Sequence, residues 1–232
     1  MEEDSRANAV TVLKQILTAD DNNQFDGIAC DQESSMLFVC TNNAVVAYSS
    51  TKLDEPKKIQ EITVQTPMGG PVSPYKVAIY LDIRGGSKVL MAVADRNNST
   101  LTQVQLKYSK ATMGFGKTKS MQSQVISTLS VKGSKKGSLN KPQGIAFDPA
   151  GNLWVADDRN ERLQLYPFAR DGSTALDNAD DDIAVNVSLL STMKSIAVVT
   201  DDNDKPIILV GFCAIMGESP FGAKKVMCLA YE

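Results

Sequence analysis

"LNKPQGIAFDPAGNLWVADDRNERLQLYPF", residues 139–168, decides the fold. Three short apolar runs are separated by turn residues. "GIAF" runs into Asp148-Pro149-Ala150-Gly151, a tight-turn sequence in which Pro presets φ and Asp can bond its own backbone. "NLWVA" runs into a second turn, Asp157-Asp158-Arg159-Asn160. "RLQLYPF" alternates, with Leu163 and Leu165 on one face and Arg162 and Gln164 on the other. A period of two belongs to a strand and not to a helix. The stretch therefore predicts an antiparallel meander.

Working outward, the arrangement recurs three times. It appears as "FDGIACDQESSMLFVCTNNAVVAYS" around Ile28 and as "YKVAIYLDIRGGSKVLMAVADRNNSTLTQVQLKY" around Ala78. It returns as "MKSIAVVTDDNDKPIILVGFCAIMGESPFGAKKVMCLAYE" around Ile196. Each unit reads as an inner strand, a turn, an apolar second strand, a polar turn and an alternating third strand. Fourth strands are predicted at 57–64, 124–131 and 183–190. The last unit ends at Glu232 after its third strand. "AVTVLKQIL", residues 9–17, precedes the first inner strand and is expected to pair beside the C-terminal strand. That pairing would close a ring and remove two free sheet edges. The spacings Ile28 to Ala78, Ala78 to Ile145 and Ile145 to Ile196 are 50, 67 and 51 residues, the scale of a four-stranded propeller blade. The expected fold is all-β: one β-propeller domain over residues 1–232, with four blades of four antiparallel strands.

"PQGIAFDPAGNLWVADDRNERLQLYPF" resembles an NHL repeat, the propeller blade shared by ligase-associated, RNA-binding and lyase proteins. The Ala78 unit keeps "VAD" and the turn after it, and the other two units follow in pattern rather than in residues. In that family the aspartate of "VAD" closes the turn after the second strand. Asp95 and Asp157 stand there, so a carboxylate that accepts local backbone N–H bonds is expected at each.

Composition narrows the chemistry. The chain has 232 residues, 43% hydrophobic and 22% charged, with a net charge of −3; that is enough apolar content for a sizeable core. It has no histidine, which excludes Ser-His and Cys-His nucleophile pairs and histidine-ligated metals. Cys30, Cys40, Cys213 and Cys228 form no Cys-x-x-Cys pair, so reduced thiols are expected rather than zinc. Cys213 and Cys228 are expected to face one another across the last hairpin. No membrane span and no secretory leader are legible, and a cytoplasmic location is expected.

"ATMGFGKTKS", residues 111–120, imitates a nucleotide loop. A true one joins a buried strand to a helix N-terminus. Here an alternating strand precedes it and a Ser/Val/Ile/Thr-rich, strand-prone segment follows. A loop between two strands is the expected structure. "DNADDD", residues 177–182, lacks the spacing of a calcium loop. Asp31, Asp82 and Asp148, at the far ends of inner strands, are expected to be structural. No metal and no cofactor is expected.

The charge is uneven. Between Arg96 and Asp148 there is no acidic residue, and eight lysines stand there. Propeller geometry sets Lys132, Lys135, Lys136 and Lys141 on the same face as Arg96, Asp158 and Arg159. These seven residues are the expected binding surface. The leading expectation is a non-enzymatic scaffold that binds a protein partner through them. RNA binding by the same basic face is the alternative, although few aromatic residues are there to stack on bases. A calcium-dependent, lactonase-type hydrolase is the third reading. Self-association stays open.

Overall fold

The structure, a computed structural model, describes residues 26–31, 33–49, 57–65, 69–82, 88–108, 121–129, 131–167, 181–184, 191–203, 205–214 and 224–230. Strands dominate it, and every pairing between them is antiparallel. The first sheet is a meander of β1 (Ile28–Asp31), β2 (Met36–Cys40), β3 (Val45–Ser49) and β4 (Lys57–Ile62). The second comprises β5 (Lys76–Asp82), β6 (Lys88–Asp95), β7 (Thr100–Tyr108) and β8 (Met121–Leu129). The third comprises β9 (Pro142–Phe147), β10 (Leu153–Asp157), β11 (Arg162–Tyr166) and β12 (Asp181–Ala184), with a 3-10 turn at Asp158–Asn160. The fourth comprises β13 (Ser191–Thr200), β14 (Pro206–Ala214) and β15 (Lys224–Ala230).

Register makes the four sheets comparable. Ile28 pairs with Val39, Val77 with Val93, Ile145 with Val155 and Ile196 with Val210. The inner strands pack in series, β1 on β5, β5 on β9 and β9 on β13. This is the propeller-like arrangement that the repeats predict.

The second strands explain their unbroken apolar runs. Met91 and Val93 point into a core shared with the first sheet, beside Phe38, Val45 and Leu106. Ala92 and Ala94 point the other way, into the core shared with the third sheet, beside Leu101, Leu139, Leu153 and Tyr166. In β10, Leu153 and Val155 join that second core, while Trp154 and Ala156 face Met193, Ile208 and Val210 of the fourth sheet. A strand buried on both faces cannot alternate in polarity. Buried cores therefore lie between consecutive sheets, and each sheet needs its neighbour.

Two glycines set how closely the inner strands approach. A Cβ at Gly27 would stand 2.9 Å from Lys76 Cα, and one at Gly144 would stand 2.8 Å from Ile196 N. Both contacts are closer than carbon atoms pack. They lie at matching register positions, one residue before Ile28 and Ile145.

Several expectations change here. The strand that was expected at 183–190 is placed at Asp181–Ala184. The last hairpin sets Cys213 opposite Lys224 and Cys228 opposite Leu209, so the two cysteines are not a cross-strand pair. The reason is register: the pairing is offset by four residues from the one that would set Cys213 opposite Cys228. The nucleotide-loop look-alike and the "DNADDD" loop, except its last two residues, lie outside the described residues. The look-alike nevertheless connects two antiparallel neighbours, β7 and β8, and is followed by a strand where a nucleotide loop needs a helix. Residues 9–17 also lie outside the described residues.

Candidate functional site

The four inner strands line one cavity of about 300 Å³. Its walls come from Asp26-Gly27-Ile28, Lys76-Val77, Gly144-Ile145 and Ser195-Ile196, with Val39 behind them. The residue two places ahead of each paired apolar position is the same step of each sheet: Asp26, Tyr75, Gln143 and Lys194. Three of these meet directly. Lys194 Nζ donates to Gln143 Oε1 at 3.1 Å, and Tyr75 Oη donates to the same oxygen at 3.4 Å. Lys76 Nζ donates to the backbone oxygen of Asp26.

The tyrosine ring is bracketed by cations. Lys76 Nζ lies 4.9 Å from its centroid and Arg96 Cζ lies 5.5 Å from it, both inside the range of cation–π attraction. Burial raises the Tyr75 hydroxyl pKa above its ordinary value, against the opposing field of Arg96. Burial also lowers the Lys76 pKa, against the pull of Asp26 and Cys40, and the charge of Lys194 adds to the lowering. Arg96 Nε is buried with no hydrogen-bond partner. These contacts gather three cationic side chains, a phenol and a primary amide, and of the five, Lys76 lines the cavity.

The Asp158 carboxylate beside the ring is engaged. Asp158 Oδ2 accepts from Gln143 Nε2 at 2.6 Å, and Asp158 Oδ1 accepts from the backbone N–H of Met193 at 2.9 Å. Asp158 is buried and fastens β9 to β13. It was expected on a binding face, but its carboxylate points inward, because the turn after Asp157 winds into a 3-10 turn.

The expected lysine loop is a locked structure rather than a mobile grip. Arg162 donates to the backbone oxygens of Ser134, Lys135 and Ser138 at 3.1, 2.9 and 2.7 Å. Gln164 accepts from Gly137 N–H and donates to Ser138 O. Asn160 donates to Gly133 O. Lys132, Lys135 and Lys136 remain exposed at the rim, as does Arg159. Lys141 is half-buried, has φ of 57°, and its N–H donates to Ser99 Oγ. Of the seven expected site residues, only Arg96 and Asp158 touch the ring over the cavity. Tyr75, Lys76, Gln143 and Lys194 were missed. Their signal was positional: Tyr75, Gln143 and Lys194 stand two residues before the paired apolar position of their inner strands, and Lys76 stands one residue before it.

Of the "VAD" aspartates, Asp95 accepts local backbone N–H bonds as expected, whereas the backbone N–H bonded to Asp157 comes from Asn140, 17 residues away, and its local bond comes from the Asn160 side chain. Asp95 accepts from the N–H groups of Ser73, Asn97 and Asn98 at 2.9, 2.9 and 3.0 Å, and from Asn98 Nδ2 at 2.7 Å. Asp157 accepts from Asn140 N–H at 2.6 Å, and from Asn160, Arg162 and Gln164 side chains at 2.6, 2.9 and 3.0 Å. Asp148 caps its own turn through Asn152 N–H and Nδ2 and receives Trp154 Nε1, and Asp31 is tied to Ser34. The side chain of Asp82 lies outside the described residues.

The ring does not fit a calcium ion. Calcium takes six to eight oxygens. The central acceptor here, Gln143 Oε1, is already taken by an ammonium and a hydroxyl, and Lys76 and Lys194 would repel a dication. Among the described residues, no group of three His, Cys, Asp or Glu side chains is placed to hold a metal.

Residues 139–166 are an NHL repeat by match to that family. No curated protein matches the chain. Solved structures that share its fold include luciferin-regenerating enzyme, with TM-score 0.52, 14% identity, and coverage of 90% of this chain and 62% of that one. A protein of Bacteroides uniformis assigned as a 6-phosphogluconolactonase gives TM-score 0.52, 8% identity, and 90% and 55% coverage. The periplasmic gluconolactonase of Pseudomonas aeruginosa is a looser likeness, with TM-score 0.47, 15% identity, and 68% and 39% coverage. The chain therefore spans less than two thirds of the length of these structures. At such identities the likeness is one of fold. It overturns the expectation of a non-enzymatic scaffold that binds a protein partner, because the propellers this chain resembles carry the names of enzymes. The absence of histidine excludes imidazole chemistry, but it does not make a propeller inert.

Proposed function

We propose that the chain is an enzymatic propeller of the lactonase kind, acting on a small anionic cyclic ester at the cavity mouth. The observation that supports this reading most is the convergence of Lys194, Tyr75 and Gln143 on one oxygen, each next in sequence to a residue that lines the cavity of about 300 Å³, Ser195, Lys76 and Gly144. That volume suits one sugar-sized ligand. In this reading the sheets are four blades, and residues 9–17 complete the last one beside β15.

Hydrolysis of a lactone adds water to the carbonyl carbon and breaks its bond to the ring oxygen. The charge that develops on the carbonyl oxygen needs preorganised donors. Lys194 supplies one in place of a metal ion. Lys76, whose pKa burial lowers, takes the proton from the attacking water in its neutral form. The Tyr75 hydroxyl, held protonated by burial, gives a proton to the departing alkoxide. Arg96 attracts the carboxylate or phosphate of the substrate.

The test is a hydrolysis assay over sugar lactones with and without a phosphate group, run in EDTA. Turnover that persists in EDTA is expected, with preference for the anionic members. Lys76→Met should lower kcat by about 100-fold or more, and activity in the wild type should rise with pH as Lys76 loses its proton. No turnover above the buffer rate, or loss of turnover in EDTA, overturns the proposal.

A further inference from the structure

Among the described residues no further strand is paired beyond the outer strands β4, β8, β12 and β15, and the four edges differ in protection. Exposed edges template the addition of another strand, and charged residues usually prevent it. β4 carries Lys57, Lys58 and Glu61, and Lys58 and Glu61 form an exposed ion pair at 3.1 Å. β12 begins with Asp181 and Asp182, and β15 begins with Lys224 and Lys225. β8, "MQSQVISTL", has no charge along nine residues. It exposes Gln122 through Ile126, with Val125 at 44% and Ile126 at 37% accessibility. Beside it, Gln60, Gln105, Gln122 and Gln124 line a polar groove that also carries Lys107 and Ser123.

We propose that this edge pairs with the same edge of a second copy, by antiparallel addition of β8 to β8 across a two-fold axis. The regular part of the strand sets the register. The pairing of β8 with β7 slips between Gln103 and Val104, which leaves Ile126 as an extra residue. Such a bulge ends regular pairing on its strand. Residues 121–125 lie before it and are continuous. Centred on Ser123, the strand is self-complementary: Met121 faces Val125, Gln122 faces Gln124, and Ser123 faces Ser123 of the second copy. Apolar residues then meet apolar ones and amides meet amides, as a two-fold interface requires. β8 itself brings no charge into the interface, so the pairing strands bury no ion, and the nearest cation, Lys107 of β7, stands at the groove beside it. The other three edges would each bring like charges into play.

Light scattering after size-exclusion chromatography of the full chain tests this. The wild type is expected to rise from 25.0 kDa towards twice that mass as concentration increases. Ser123→Lys would set two ammonium groups directly opposite and should weaken dimerisation about ten-fold or more, with an unchanged thermal midpoint because Ser123 is exposed. Glu33→Lys, in the exposed turn after β1 and away from that groove, should change nothing. Ser123→Cys should form an intersubunit disulfide under mild oxidation. A wild type that stays monomeric at about 100 µM, a concentration at which even weak association shows, overturns the proposal. So does a dimer that survives S123K or that S123C fails to link.

Discussion

Asp95 and Asp157 occupy the same step of two sheets, after Val-Ala in β6 and in β10, and both are fully buried. Their company differs. Around Asp95 every donor is a backbone N–H or the short side chain of Asn98. Around Asp157 stand a guanidinium and two amides that reach onward to the loop at 133–138. One carboxylate closes a turn and ties it to Ser73. The other closes a turn, neutralises Arg162 and, through it, sets the path of a whole inter-sheet loop. The difference teaches that one step of a repeat can close its turn through local backbone N–H groups in one copy and serve as the keystone of a larger side-chain network in another.

The sharpest way to break this comparison is to remove each carboxylate. Asp157→Ala leaves the buried Arg162 uncompensated and should cost about 3–5 kcal/mol. Asp95→Ala leaves neutral donors short of an acceptor and should cost about 1–3 kcal/mol. Denaturant titration of both variants measures this. Equal losses would mean that the Arg162 network adds nothing to the turn.

The same contrast shows what was legible in the sequence. The meander at 139–168 was readable because turn residues and alternation coincide there. The burial of β6 and β10 on both faces was readable from "VLMAVA" and "LWVA". The keystone role of Asp157 was not, because Arg162 and Gln164 look like the solvent face of an alternating strand. Their side chains are buried by a loop that begins some 25 residues earlier in the chain. The candidate site was hidden for a related reason. Tyr75, Gln143 and Lys194 lie far apart in sequence, and only the register of three sheets brings them to one oxygen atom. Attention to charged loops selected the rim and passed over the strand starts.

A second comparison concerns the glycines. Gly27 and Gly144 hold matching positions; Gly27 lets the chain touch the start of β5 at Lys76, and Gly144 lets β9 touch the middle of β13 at Ser195 and Ile196. Gly27→Ala and Gly144→Ala should each lose about 1–3 kcal/mol, because backbone atoms cannot yield as a flexible side chain would. Similar losses would support a duplicated two-sheet unit. A cost confined to Gly144 would restrict tight packing to the third and fourth sheets.

The smallest effect separates Asp157 from an exposed turn aspartate, Asp201, by the sign of its pH dependence. Burial raises the Asp157 pKa above 3.8, and its four donors only partly offset this. In the window above 3.8 the folded chain keeps a proton that the unfolded chain has released. Stability from this group therefore falls as pH rises through that window and is level beyond it. Asp201 is the opposite case: the N–H groups of Lys205 and Asn203 stabilise its charged form and lower its pKa below 3.8. Its contribution is present above 3.8 and is lost as pH falls through the lowered value. The measurement is the stability of the wild type minus that of Asp157→Asn or Asp201→Asn, from about pH 2.5 to 6. The first difference should decline with pH and the second should grow. A first difference that grows instead would mean that Arg162 and the amides outweigh burial, and that the keystone is held as a fully formed ion pair even in acid.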